Sequence, residues 1–196
     1  PNGVNYPLFS KQDSPPVRDI LPHVEGPVFG WAGTISPDLD LTPVLTAARE
    51  CPEWTFLLLG QRQDNPLLPR LRRQPNVVFA GPCSLNEVPD WLFRCDVLVD
   101  VLHQDRTDDG VVSTRLYEYL STGKPIVSML WPDQVELFPD VVYGAYSDRE
   151  FISMCHSALE EAPGFVSQRR QGYGAAASWS NRTGEVVRIL STAGLL

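Results

Sequence analysis

The chain has 196 residues, of which 43% are hydrophobic and 20% charged, the composition of one ordinary globular domain. A net charge of −8 without a basic stripe excludes a nucleic-acid clamp, which works by releasing counterions from phosphates; the short run Arg70, Arg72 and Arg73 reads as a solvated helix end. No apolar run approaches the roughly 20 residues that span a bilayer, no signal peptide is visible, and Cys51, Cys83, Cys95 and Cys155 lack the paired spacing of a zinc site and read as reduced cytoplasmic thiols.

In chain order, the sequence opens on Pro1 rather than Met, which reads as a fragment or processed piece, and residues 1–26 form a Pro-, Asn-, Asp- and Ser-rich linker. Short apolar runs follow at 28–32, 55–59, 77–80, 97–102 and 126–130. Uninterrupted runs of that length suit strands buried on both faces, hence a parallel sheet. Helix signals lie between them. Ser36-Pro37 predicts a cap and first-turn proline for a helix near 38–50. Ser84-Leu85-Asn86-Glu87 reads as a capping box for a helix ending near Arg94. A helix over 114–122 is stopped by Gly123, with Pro125 just beyond. Alternating strands and helices over 27–147 predict an α/β core, a doubly wound, Rossmann-like parallel sheet of about 5–6 strands. The remainder, 148–196, reads as helical: 148–162, 165–177 and a closing helix at 180–193, with Pro163-Gly164 as a breaker. The whole of 1–196 is expected to be one domain.

In open α/β sheets, ligands bind beyond the carboxyl ends of the strands. Those ends are Gly33-Thr34, Gly60-Gln61-Arg62, Gly81-Pro82, Leu102-His103 and the loop before 114. Glycine lets a backbone come close to a ligand, but such turns favour glycine in any case, so the glycines alone specify nothing. More informative is the polar loop that ends at Ser113-Thr114, where a helix begins. Free amides and a positive dipole make a helix start a diphosphate site. Arg115 places a cation against that dipole, a placement that a bound anion would explain. Leu116 and Leu120 mark the buried face, which turns Glu118 away, either to solvent or to a cleft where a carboxylate accepts hydrogen bonds from two ribose hydroxyls.

The run Tyr117-Glu118-Tyr119-Leu120-Ser121-Thr122-Gly123-Lys124-Pro125-Ile126-Val127 resembles the E-Y-L-A-x-G-K-P-V-V motif of glycosyltransferase family 4 (group 1) and its GT-B relatives. Arg115 stands where that family often has Lys or Arg. Other blocks fall in the family's order: Asn2-Gly3-Val4-Asn5 with Phe9, Gly30-Trp31-Ala32-Gly33, Pro75-Asn76-Val77 through Gly81, Asp90-Trp91-Leu92 to Cys95-Asp96-Val97, and Ser178-Trp179. The resemblance implies one half of a GT-B fold, the C-terminal domain that holds the donor nucleotide sugar. It implies ribose binding by Glu118, and diphosphate binding by Arg115 with the amides near Ser113 and Thr114. It implies a base near Gly81, Pro82 and Cys83. The acceptor, a glycan, lipid-linked or polysaccharide chain, is expected on an N-terminal domain outside this sequence, as is any membrane contact. Neither metal nor other cofactor is expected, and the setting is cytoplasmic.

The sequence departs from the family pattern in two places. Where many members carry a second glutamate for the donor sugar, Gly110 stands, leaving Asp108 or Asp109 as candidates. Where many have Arg and Lys after the first strand, Ile35-Ser36-Pro37-Asp38 stands, leaving Arg62 or Arg106 to supply charge, beside Gly33 and Thr34. Asp38-Leu39-Asp40 matches a D-x-D metal motif but is read as the acidic opening of a helix. His103 faces either the donor or solvent; Trp54 and Trp91 read as packing anchors, and Trp31 as packing or cleft wall. The rival functions are a non-catalytic Rossmann-like interaction module and a sugar-nucleotide epimerase of the same fold.

Overall fold

The computed structural model describes residues 2–11, 24–101, 112–129 and 137–195. Strands Val28–Ala32 (β1), Thr55–Leu59 (β2), Val77–Phe79 (β3), Val97–Asp100 (β4), Ile126–Ser128 (β5) and Tyr143–Gly144 (β6) form one sheet in the order β3-β2-β1-β4-β5-β6. Every pairing is parallel. All residues of β1 and β2 are buried, because helices cover both faces. Alternation sorts β1: Phe29 and Trp31 enter one core with Trp54, Phe56 and Phe151, whereas Val28 and Ala32 enter the other with Leu116, Leu120 and Ile126. The expected doubly wound α/β fold is thus present. Its last strand, β6, was not among the apolar runs: two residues on an edge bury too little to leave a hydrophobic signature.

The helices are Tyr6–Phe9 (α1), Thr42–Glu50 (α2), Leu68–Leu71 (α3), Val88–Arg94 (α4), Thr114–Thr122 (α5), Asp148–Leu159 (α6), Phe165–Ala176 (α7) and Trp179–Thr192 (α8). Three sequence expectations need correction: the stretch read as a linker contains α1, with Val4 and Phe9 buried in the same core as Leu116, and two helix starts move. First, α2 starts at Thr42 with Pro43 in its first turn, so Ser36-Pro37 does not open it. The buried Asn65 amide donates to the carbonyls of Ser36 (2.7 Å) and Leu39 (2.9 Å) and holds that stretch as a loop. Asp38 and Asp40 therefore precede the helix, and Asp40 Oδ1 accepts from the Thr42 amide at 2.9 Å. Second, the Glu87 carboxylate does accept from the Ser84 amide (2.9 Å) and hydroxyl (2.7 Å), but this closes a turn, and α4 begins one residue later. The start of α5 is as expected: Ser113 Oγ caps the Leu116 amide, and Gly123 ends the helix at φ 74°.

Helix α7 holds α5 in place. A Cβ on Gly174 would lie 2.4 Å from Ser121 Oγ, so the two helices touch backbone to backbone there. Arg170, fully buried on α7, donates to the Val141 carbonyl (2.7 Å), the Gly123 carbonyl (3.4 Å) and the Glu161 carboxylate (2.6 Å). Tyr143 of β6 donates its hydroxyl to the same carboxylate at 3.0 Å. This clamp joins the end of α5, the edge strand and the α6–α7 turn around a cation at a helix C-terminus, the end that favours positive charge.

Candidate functional site

The carboxyl edge of the sheet is shaped by three glycines. Gly33, Gly60 and Gly81 follow β1, β2 and β3 with φ of 153°, 135° and 57°, a region that side chains disfavour. The Gly60 amide donates to the Gly81 carbonyl at 2.9 Å, and a Cβ on Gly60 would lie 1.9 Å from the Gly33 carbonyl oxygen. The turns are therefore packed against each other as well as being open to a ligand. Thr34 and Pro82 are exposed beside them. Arg62 is exposed too, with its guanidinium 5.6 Å from the centroid of Phe79.

Strand order reverses between β1 and β4, the crevice where open α/β sheets bind ligands. Asp100, the last residue of β4, is fully buried there. Arg115 enters from the first turn of α5 and donates from Nη1 to Asp100 Oδ1 at 2.8 Å. Its guanidinium lies over the Trp31 ring, 4.8 Å from the centroid, a cation–π distance. Its Nη2 lies 3.3 Å from the point a Gly33 Cβ would occupy. One turn later the Tyr119 hydroxyl accepts from the Ala32 amide at 2.9 Å, pinning α5 to the end of β1. A free anion is thus not needed to explain Arg115: Asp100 supplies the opposing charge. Burial alone would lower the guanidinium pKa, but the Asp100 carboxylate, with smaller contributions from Tyr119 and Glu118, offsets this and the net shift is upward. The Arg115 side chain keeps 19% exposure, so one part of it still reaches the mouth.

Glu118 is half-buried on the same helix. Burial pushes its carboxyl pKa up, with the Arg115 charge opposing that shift, and it accepts no hydrogen bond among the described residues. Ser113 is engaged through its hydroxyl as the cap, which leaves backbone amides as its offer to a ligand; Thr114 is exposed. The first-turn amides of Thr114 and Arg115 have no intrahelical acceptor, as at any helix start. Gly33, Arg115 and the start of α5 therefore come together, while on the same edge Arg62 lies one strand over, after β2, and Gly81 and Pro82 two strands over, after β3. Asp108, Asp109, His103 and Arg106 lie outside the described residues. Trp31 is fully buried, Trp54 packs between Phe29 and Phe56, and Trp91 is only half-buried with Arg94 over its ring.

Asp100 and Tyr119 escaped the sequence reading. The signal for Asp100 was present: one acid inside the apolar run 97–102, close to its carboxyl end. Tyr119 stood inside the family-like motif without a role of its own.

No family model matches the sequence. Among curated proteins, TuaH of Bacillus subtilis (strain 168), described as a teichuronic acid biosynthesis glycosyltransferase, is 34% identical over 163 residues, covering 81% of this chain and 41% of TuaH. Among solved structures, Anabaena Alr3699/HepE in complex with UDP superposes with a TM-score of 0.78 at 17% identity, over 97% of this chain and 56% of that one. The C-terminal domain of the group 1 glycosyltransferase LpcC of Francisella tularensis superposes at 0.55 and 14% identity, over 94% of this chain and 98% of that domain. In fold, the chain is similar to the C-terminal domain of GT-B glycosyltransferases. The chain spans about two fifths of the length of TuaH and about half that of HepE. Among its described residues no three His, Cys, Asp or Glu side chains gather as a metal site, and no helix is long and apolar enough to cross a membrane.

Proposed function

We propose that this chain is the donor half of a glycosyltransferase, holding a nucleotide-diphosphate sugar while another domain of the full-length enzyme presents a glycan, lipid-linked or polysaccharide acceptor. The observation that carries the reading is the meeting of Arg115, Gly33 and the start of α5 at the β1/β4 switch point, with Glu118 one turn along the same helix. In this reading the diphosphate lies against the amides of Ser113 and Thr114 and the open edge of Arg115. Glu118 accepts from the ribose hydroxyls. The base lies toward Gly81 and Pro82, and Thr34 and Arg62 line the path between. Asp108 or Asp109 would reach the sugar. Breaking the sugar–phosphate bond leaves negative charge on the departing diphosphate, and fixed amides with one guanidinium stabilise that charge without a metal. The kinship with TuaH favours polysaccharide assembly, and the UDP and UDP-glucose complexes of Alr3699/HepE favour a uridine donor. A cytoplasmic setting fits the four free thiols.

The Arg115–Asp100 pair favours one second reading, a non-catalytic module whose cation is already neutralised. A thermal-shift panel with UDP, GDP, ADP and dTDP, repeated on Glu118→Ala, separates the two. A ligand at ten times its dissociation constant adds roughly 1.4 kcal/mol, which for a domain of this size is a shift of about 3–6 °C. A shift with one base that is lost in Glu118→Ala supports the donor site. No shift with any nucleotide supports the module.

A further inference from the structure

Asp100 is an acid in a place where acids are costly. It is fully buried, and its Oδ2 has no hydrogen-bond partner among the described residues. The buried Trp31 indole N–H likewise has no partner among the described residues. An uncompensated buried polar atom is expensive, so a strand that keeps one at its carboxyl end is under a constraint other than packing. The constraint visible in the structure is Arg115. Its guanidinium is held at one edge by Asp100 Oδ1 (2.8 Å) and on one face by the Trp31 ring (4.8 Å), with its other terminal nitrogen beside Gly33. Arginine has several rotatable bonds, and a ligand that must order it loses affinity to that ordering. Here the ordering is already done.

We propose that Asp100 is a positioning residue, which with Trp31 fixes the Arg115 guanidinium so that its free edge faces the diphosphate of a bound nucleotide. This rests on the donor reading above. Neutralising Asp100 leaves Arg115 a partly buried cation without its counter-charge, which then relaxes toward solvent and off the ring. Loss of orientation outweighs the gain in net positive charge, because the carboxylate sits behind the guanidinium, on the strand side, and not in the mouth.

The test measures binding of UDP and of uridine to the 196-residue chain and to Asp100→Asn, Arg115→Met and the double variant, with circular dichroism to check the fold. The expected result is that Asp100→Asn weakens UDP about tenfold and leaves uridine unchanged, because only the diphosphate meets Arg115. In the Arg115→Met background, Asp100→Asn should have no further effect on UDP. A structural role alone would lower stability without changing the UDP-to-uridine ratio, and that outcome overturns the proposal, as does equal or tighter UDP binding by Asp100→Asn. If Arg115→Met weakens UDP and Asp100→Asn does not, the donor reading stands and the positioning role falls. If the unsubstituted chain binds no nucleotide, both fall. Should Asp100→Asn fail to fold, nitrogen-15 NMR of the unsubstituted chain decides. Hindered rotation of the Arg115 guanidinium before UDP is added, with a shift on UDP but not on uridine, supports the proposal, and free rotation overturns it.

Discussion

Burial raises the Glu118 carboxyl pKa, and Arg115 opposes that rise. An acid whose folded pKa lies above its unfolded value binds more protons in the folded state across the window between them. Stability therefore falls as pH rises through that window, and the cost is fully present above the folded pKa. Glu118→Gln removes the charge at neutral pH while keeping the shape. We expect it to raise the melting temperature at pH 7, to erase the difference near pH 4, and to weaken nucleotide binding about tenfold, since a charged acceptor is lost from the ribose hydroxyls. Melting curves at the two pH values and a titration with UDP check all three. Gain of stability with loss of binding is the signature of a residue kept for a ligand.

Helix α5 is the element on which the site depends, and its position is set by groups outside it. Tyr119 ties it to β1, Arg115 to β4, and α7 covers its C-terminal half through Gly174 and Arg170. Arg170→Ala leaves the Glu161 carboxylate without its charged partner, with only the Tyr143 hydroxyl described beside it, and should cost about 3–5 kcal/mol in a urea melt. Gly174→Ala places a methyl 2.4 Å from Ser121 Oγ and 2.8 Å from the Ser121 Cα, backbone that cannot yield cheaply. It should cost about 1–3 kcal/mol by overpacking. If the substitution shifts α5 as a body, nucleotide affinity falls with stability, which the same two measurements read out together.

At the scale of the molecule, α8 stands apart from the rest. None of its residues is buried, and Trp179, Val186 and Ile189 are each more than half exposed. Their spacing puts them along one stripe; Gly3 lies against the Trp179 ring, whereas Val186 and Ile189 are left open. The open part of the stripe therefore adds little to the stability of this chain. Val186→Glu with Ile189→Glu should move the unfolding free energy by less than about 1 kcal/mol, measured by urea denaturation. A larger loss would mean that the stripe is packed in solution.

Much of the fold was legible because its signals are local. Buried parallel strands must be apolar throughout, so β1 and β2 coincide with their runs, and the caps at Ser113 and Gly123 are set by hydrogen bonds within a turn. The motif on α5 likewise marked Arg115 and Glu118 as residues of interest. Where several sites competed for one role, sequence was insufficient. Pro37 and Pro43 are both valid helix openers, and contacts distant in the chain, among them those of Asn65, hold the Pro37 stretch as a loop. The same limit applies to charge. Along the sequence the acid within a turn of Arg115 is Glu118, not Asp100, and Arg170 looks like an ordinary helix-surface cation. Folding brings Asp100 to the first and Glu161 to the second. Local propensity and burial pattern determined the elements; which charges meet, and so what the switch point can hold, was decided by packing between residues far apart in the chain, which no local pattern encodes.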